Sequence, residues 1–300
     1  MCHNKQKNFL NYRITSVSYE AKSYGITENM KLIDARRLCR SLQIFETPNV
    51  RGKPDSSRVR HASWEVVDSI KDFCETHSPG VTVEYAALDE LYLDITKEVT
   101  QRVMYKNPSE IQSLQYPFVM DGNVYLEGRS QTISHESLEY RVKNMYPKSY
   151  IKSHSLRDEE RLFHGSMFTE ELLAHLFSHT CFRASAGIGT NKLMAKLAAG
   201  LNKPSSITIL PHTALSRVGY MVDLKSIPGL SGSRGEQVKK TFGIDTMGEL
   251  SELSKETLES YLQPELAHKV FCWARGWSDA PVVPKLMMEE VSCGKTFPSI

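Results

Sequence analysis

The chain has 300 residues, 40% of them hydrophobic and 24% charged, with a formal net charge of +2. That length supports two or more compact units, while so small a net charge cannot identify a nucleic-acid partner, which only local charge could do. The 6 cysteines form no CxxC pair, no apolar run is long enough for a membrane span, and the polar start Met1–Asn8 is no signal peptide. The cysteines are therefore expected to be reduced, mostly buried thiols of a cytosolic or nuclear protein.

Residues 1–12 are polar and read as frayed. Arg13–Ser18 reads as a strand, and Tyr19–Ile26 as a short helix closed by Gly25. Leu32, Ala35, Leu38, Cys39 and Leu42 then share one helical face, with Arg36, Arg37 and Arg40 on another. That basic face is either a phosphate contact or a solvated surface. Residues 47–61 hold Pro48, Gly52 and Pro54 and read as a loop and boundary. A helix follows with Trp64, Val67, Ile70, Phe73 and Cys74 inward.

Val83–Ile95 is the most informative stretch. It is rich in β-branched and aromatic residues and reads as two short strands with a bend. The acidic pair Asp89–Glu90 interrupts it. Side chains alternate across a flat strand, so a bend is needed for both carboxylates to reach one spot. A buried bare carboxylate is costly unless it is paired or holds a metal. Two hard oxygen donors suit Mg²⁺, whose other positions go to water and phosphate. The other reading is an exposed acidic hairpin tip.

Residues 97–165 are mixed and broken by Pro108, Pro117 and Pro147, and read as an insertion with little core. Thr169 reads as the N-cap of a helix carrying Leu172, Leu173, Leu176 and Phe177. Cys181–Gly189 reads as a strand and glycine turn, Lys192–Ala199 as a helix stopping at Gly200, and Ser206–Leu210 as a further strand. Strands interleaved with amphipathic helices give an α/β or α+β layer structure. Gly229–Gly235 reads as a glycine hairpin between short helices, followed by Lys239 and Lys240. Backbone N–H groups at such a helix start bind phosphate without reading a base, although a plain helix turn has the same pattern.

Three stretches resemble the Y-family, or translesion, DNA polymerases. They are Val17–Ile26, Ala87–Ile95, and Ser185–Ala198 continued through Leu201-Asn-Lys203-Pro204. The hairpin at 229–235 falls where that family has its thumb, and Ser292–Pro298 resembles the entry to its little finger. Tyr125-Leu-Glu127-Gly128 supports the same placement. The resemblance runs from 14 to 300 and is weak between 97 and 165.

The resemblance implies an α+β right-hand polymerase. Residues 1–13 would be a disordered or unrelated start. Fingers would span 14–55, a palm of antiparallel sheet and helices 56–208, a helical thumb 209–285, and the approach to the little finger 286–300. It implies that Asp89 and Glu90 are catalytic and hold two Mg²⁺ ions, and that Tyr19, Lys22 and Lys203 bind the incoming deoxynucleoside triphosphate. Gly229, Gly232, Arg234, Lys239 and Lys240 would meet the DNA backbone. Primer-template DNA, a replication clamp engaged through other regions, and a nuclear location complete the expectation, with no membrane role.

Departures accompany the match. Lys22 stands where the family often has Arg, Glu28 where part of it has Arg, and Ser231 in place of a thumb glycine. Nothing in Met1–Tyr12 supplies the family's first palm strand with its metal-binding aspartate, and the chain ends at Ile300 before a little finger. The sequence therefore predicts poor primer extension by these 300 residues alone, unless another carboxylate such as Asp94 substitutes. The competing readings are a catalytically inactive DNA- or nucleotide-binding protein of the same family, and a generic DNA-binding domain.

Overall fold

A computed structural model describes residues 12–50, 53–104, 118–121, 124–125 and 155–285. The chain divides into two compact units, Met1–Arg58 and Val59–Ile300. Both units hold helices and strands, as an α+β chain requires, and the described elements after Ile209 are helices.

In the first unit, α1 (Tyr19–Ser23) starts at Ser18, whose hydroxyl accepts the N–H of Ala21. It ends as expected at Gly25, with φ +80°. Arg13–Ser18 forms no strand, only a single bridge from Arg13 to Lys31. The second helix, α2 (Leu32–Leu38), is shorter than its apolar pattern. Burial stops at Ala35, Leu38 is 49% exposed, and Cys39 is already extended, so Leu42 joins no helical face. Arg36, Arg37 and Arg40 are exposed, and Arg37 pairs with Asp34 at 3.1 Å. Strands β1 (Asn49–Val50) and β2 (Lys53–Pro54) pair antiparallel.

The long helix α3 (Ser57–His77) begins where the units divide. In the second unit it buries Val67, Ile70, Phe73 and Cys74. Burial pushes the Cys74 thiol up to about 11. Trp64, expected inside, is 39% exposed and stacks parallel on Tyr85 at 6.0 Å. The cysteine expectation is likewise corrected: the thiols of Cys39, Cys74, Cys181 and Cys272 are free, but of these only Cys74 is buried.

Strands β3 (Thr82–Ala87) and β4 (Glu90–Asp94) form an antiparallel hairpin with a register shift between Tyr85 and Ala87. Its Val83, Leu91 and Leu93 pack with α3 and with Phe168, Leu172 and Leu176 of α5 (Ser155–Thr180). Helix α5 runs through Thr169 rather than starting there. The Thr169 hydroxyl bonds the carbonyl of Gly165 at 2.7 Å, one turn back, so it caps nothing. Stretch 97–165 adds more than expected: α4 (Thr96–Met104) buries Val99, and its Arg102 bridges Glu98 and Glu171.

The larger sheet has the order β6-β5-β8-β7, from β5 (Phe118–Asp121), β6 (Val124–Tyr125), β7 (Ala186–Ile188) and β8 (Ile207–Ile209). Its β5–β8 and β7–β8 pairs are parallel, so this sheet is mixed rather than antiparallel as expected, while β3–β4 and β5–β6 are antiparallel. Parallel neighbours need a crossover, and α6 (Lys192–Leu201) supplies it between β7 and β8. One side of α6, with Leu193, Met194, Leu197 and Ala198, enters a core built by the C-terminal helices. These are α7 (Leu215–Val218), α8 (Ser233–Phe242), α9 (Met247–Glu252), α10 (Lys255–Glu259) and α11 (Pro264–Ala274). Fully buried Met247, Leu250 and Leu258 are each worth roughly 1.5–3 kcal/mol of that core.

Candidate functional site

The site is built on two-faced elements. One face of the β3–β4 hairpin is core, as above. On the other, Glu84 lies opposite Tyr92, with Glu90 two residues before Tyr92. Helix α6 has the matching property. Its core face leaves Lys192 and Lys196, one turn apart, on the opposite side. The lysine face meets the acidic face.

Close packing makes that meeting possible. A Cβ on Gly187 would sit 2.1 Å from the Ala195 carbonyl oxygen and 2.2 Å from the Ala199 nitrogen. One on Gly189 would sit 2.6 Å from the Ala195 nitrogen. Glycine in β7 and just after it therefore lets α6 lie against the sheet. Asn191 caps α6, accepting the Met194 N–H at 2.9 Å, and its amide donates to the Gly276 carbonyl at 2.8 Å.

Lys192 Nζ donates to both oxygens of Glu84, at 2.7 and 2.8 Å, and lies 4.7 Å from the centre of the Tyr92 ring. Burial would raise the Glu84 carboxyl. The hydrogen bonds from Lys192 and the Val283 N–H outweigh burial and hold it below the usual carboxylate range. The segment around Lys285 runs parallel to β3, with Tyr85 N–H on the Lys285 carbonyl at 2.5 Å. Sequence reading missed Glu84, Lys192 and this edge segment. The i,i+4 lysines were the one available signal.

Lys196 Nζ donates to Glu90 Oε2. Burial first, then the charge and hydrogen bond of Glu90, push the Tyr92 phenol far up. Glu90 thus pairs with the Lys196 ammonium, and Tyr92 stays a neutral phenol beside it. Asp89 occupies the exposed two-residue turn with Leu88. Asp94 Oδ1 accepts the Thr96 N–H at 3.0 Å at the start of α4. Beside the hairpin lies a cavity of about 330 Å³ lined by Glu90, Tyr92, Lys196, Lys225 and Ser231, among others. Among the described residues, no group of three or more His, Cys, Asp or Glu gathers where it could hold a metal ion.

The remaining candidates are distributed. Tyr19 and Lys22 share α1 in the first unit, with Lys22 Nζ 5.1 Å from the Tyr19 ring centre. Glu28 is exposed in that unit. Lys203 belongs to the second unit, exposed just past α6 and outside the cavity lining. In the glycine segment, the element before the hairpin is a 3₁₀ turn, Leu224–Ser226, rather than an α-helix. Gly229 has φ +90°, and a Cβ there would meet the Trp273 ring at 2.8 Å. Gly232 starts α8 without a side-chain cap, in open space. Arg234 and Lys240 are exposed, while Lys239 pairs with Asp245. Tyr125 falls on β6, but Leu126–Gly128 and Ser292–Pro298 lie outside the described residues.

Residues 1–200 match the model of the impB/mucB/samB family. The chain is 31% identical to DNA polymerase eta of Drosophila melanogaster over 298 residues, 95% of this chain and 32% of that protein. It is 26% identical to DNA polymerase iota of Homo sapiens, over 95% of this chain and 34% of that protein. It is 24% identical to DNA polymerase IV of Staphylococcus saprophyticus, over 95% and 59%. The chain spans about a third of the length of the eta and iota relatives. The family match covers the acidic hairpin, the two glycines and both α6 lysines together, and the chain belongs to the impB/mucB/samB family, the translesion polymerase group that its motifs resemble.

Proposed function

We propose that this chain carries the fingers, palm and thumb of a translesion DNA polymerase, acting on primer-template DNA and deoxynucleoside triphosphates in the nucleus. The acidic hairpin set against the α6 lysines, within the family match, is the observation that carries the reading. Named relatives that are DNA polymerases support the substrate class. Among the described residues no helix is long and apolar enough to cross a membrane.

Asp89 and Glu90 are the proposed catalytic carboxylates. Two adjacent carboxylates fit a Mg²⁺ ion that also takes phosphate oxygens, since such ions keep water and substrate phosphates in most positions. They do not make a cage that holds a metal by protein alone, in keeping with the absence of a third ligand nearby among the described residues. A bound ion would supply charge neutralisation at the phosphoryl group. Tyr19, Lys22 and Lys203 are proposed to bind the triphosphate. Lys22 and Lys203 act as point charges rather than as a bidentate fork. Gly229, Gly232, Arg234, Lys239 and Lys240 are proposed to hold the DNA backbone through N–H groups and cations. A replication clamp is a proposed partner of the whole protein.

A second reading, nucleotide or DNA binding without catalysis, is favoured by one observation: Lys196 already neutralises Glu90. Primer extension separates the two. Under the first reading, extension by the whole gene product requires Mg²⁺ and is lost in Asp89→Ala. Extension that survives Asp89→Ala rejects the catalytic assignment. Binding of a fluorescent deoxynucleoside triphosphate tests the nucleotide residues, and Lys203→Ala weakens it under this reading. Unchanged affinity removes Lys203 from the site.

A further inference from the structure

We propose that Lys196 is a built-in competitor for divalent cations at the acidic hairpin: its ammonium holds Glu90 Oε2, and an ion on that carboxylate must displace it or bind against its charge. The inference rests on the reading of Asp89–Glu90 as the metal-binding pair.

The two α6 lysines have different fates. Lys192 is held on several sides, by Glu84, by the Pro281 carbonyl at 3.3 Å and by the Tyr92 ring. Its side chain is 20% exposed. Lys196 is 39% exposed, has Glu90 as its ion-pair partner and lines the cavity. It is therefore the cation free to exchange. An ammonium on a flexible four-carbon stem can leave a partly exposed carboxylate at small cost. Lys196 occupies Glu90 Oε2, so a divalent ion on that carboxylate either takes this oxygen from the ammonium or binds against its charge.

Mn²⁺ binding to the purified chain, measured by electron paramagnetic resonance without nucleotide or DNA, tests this directly. Lys196→Gln removes the competing charge and tightens Mn²⁺ binding by up to about fivefold, the range expected for one partly exposed charge pair. Lys196→Arg keeps a cation and stays as weak as the parent. Adding Asp89→Asn to Lys196→Gln reverses the gain. Circular dichroism of each variant confirms that folded protein is compared. If Lys196→Gln binds no more tightly than the parent while Asp89→Asn weakens both, the competitor role is wrong and the metal assignment stands. If Asp89→Asn changes binding in neither background, or Lys196→Gln binds no Mn²⁺, the acidic-pair assignment fails and takes this inference with it.

Discussion

Lys192 and Glu84, 108 residues apart in sequence, form a two-pronged ion pair at 2.7 and 2.8 Å that ties α6 to β3. The same carboxylate accepts the Val283 N–H at 2.8 Å, so three distant segments meet at Glu84. Glu84 and Lys192 are 15% and 20% exposed. Removing one partner leaves a largely desolvated charge. Lys192→Met is expected to destabilise the second unit by about 2–3 kcal/mol, somewhat below the range for fully buried pairs. Urea denaturation of variant and parent measures it, and a loss under about 0.5 kcal/mol would show the pair to be screened like a surface bridge.

The same pair sets a pH dependence. The Glu84 carboxyl is held below its ordinary value, so the unfolded chain binds its proton more readily than the folded one. Its stabilising contribution is present above the unfolded value and is lost as pH falls through the folded value. Stability of the parent should fall on acidification below about pH 4.5, and Glu84→Gln should flatten part of that slope. Thermal melts between pH 3 and pH 7 compare the two. Parallel curves would mean that other carboxylates carry the acid sensitivity.

Gly187 decides how closely α6 approaches β7. A Cβ 2.1 Å from the Ala195 carbonyl oxygen cannot be accommodated by rotating a side chain. Gly187→Ala should cost about 3 kcal/mol, at the upper end of overpacking. Gly200→Ala is the control, since a Cβ there meets nothing within 4 Å. Equal stability of the two variants in denaturant would refute the packing role.

Binding of duplex DNA through 229–240 should fall steeply with salt, because each phosphate contact releases counterions. Arg234→Ala with Lys240→Ala should reduce the slope of log affinity against log salt by about 1–2. Lys239→Ala should matter less, since Asp245 already holds that ammonium. Fluorescence anisotropy over a salt series gives the slopes. Affinity independent of salt would leave the glycine segment a structural turn.

Much of the local plan was legible in the chain itself. The short helix from Tyr19 and its turn at Gly25 follow from a residue that releases the backbone within a few positions. The bend at the acidic pair followed from alternation, and the two-residue turn Leu88–Asp89 between β3 and β4 falls there. The family, too, was readable from three separated motifs. Other features depended on partners distant in sequence. Nothing near Thr169 indicates that α5 passes through it, because Leu162 and Phe168 are buried by packing from elsewhere. The parallel pairing of β7 and β8 requires α6 to fold back across the sheet, and Gly187 makes that possible only in three dimensions. The sequence by itself determined the acidic pair and two lysines one turn apart on a helix. Only the tertiary structure decided that Lys192 is bound to Glu84 and Lys196 to Glu90. Those ion pairs join segments more than a hundred residues apart, and no local propensity encodes their contact.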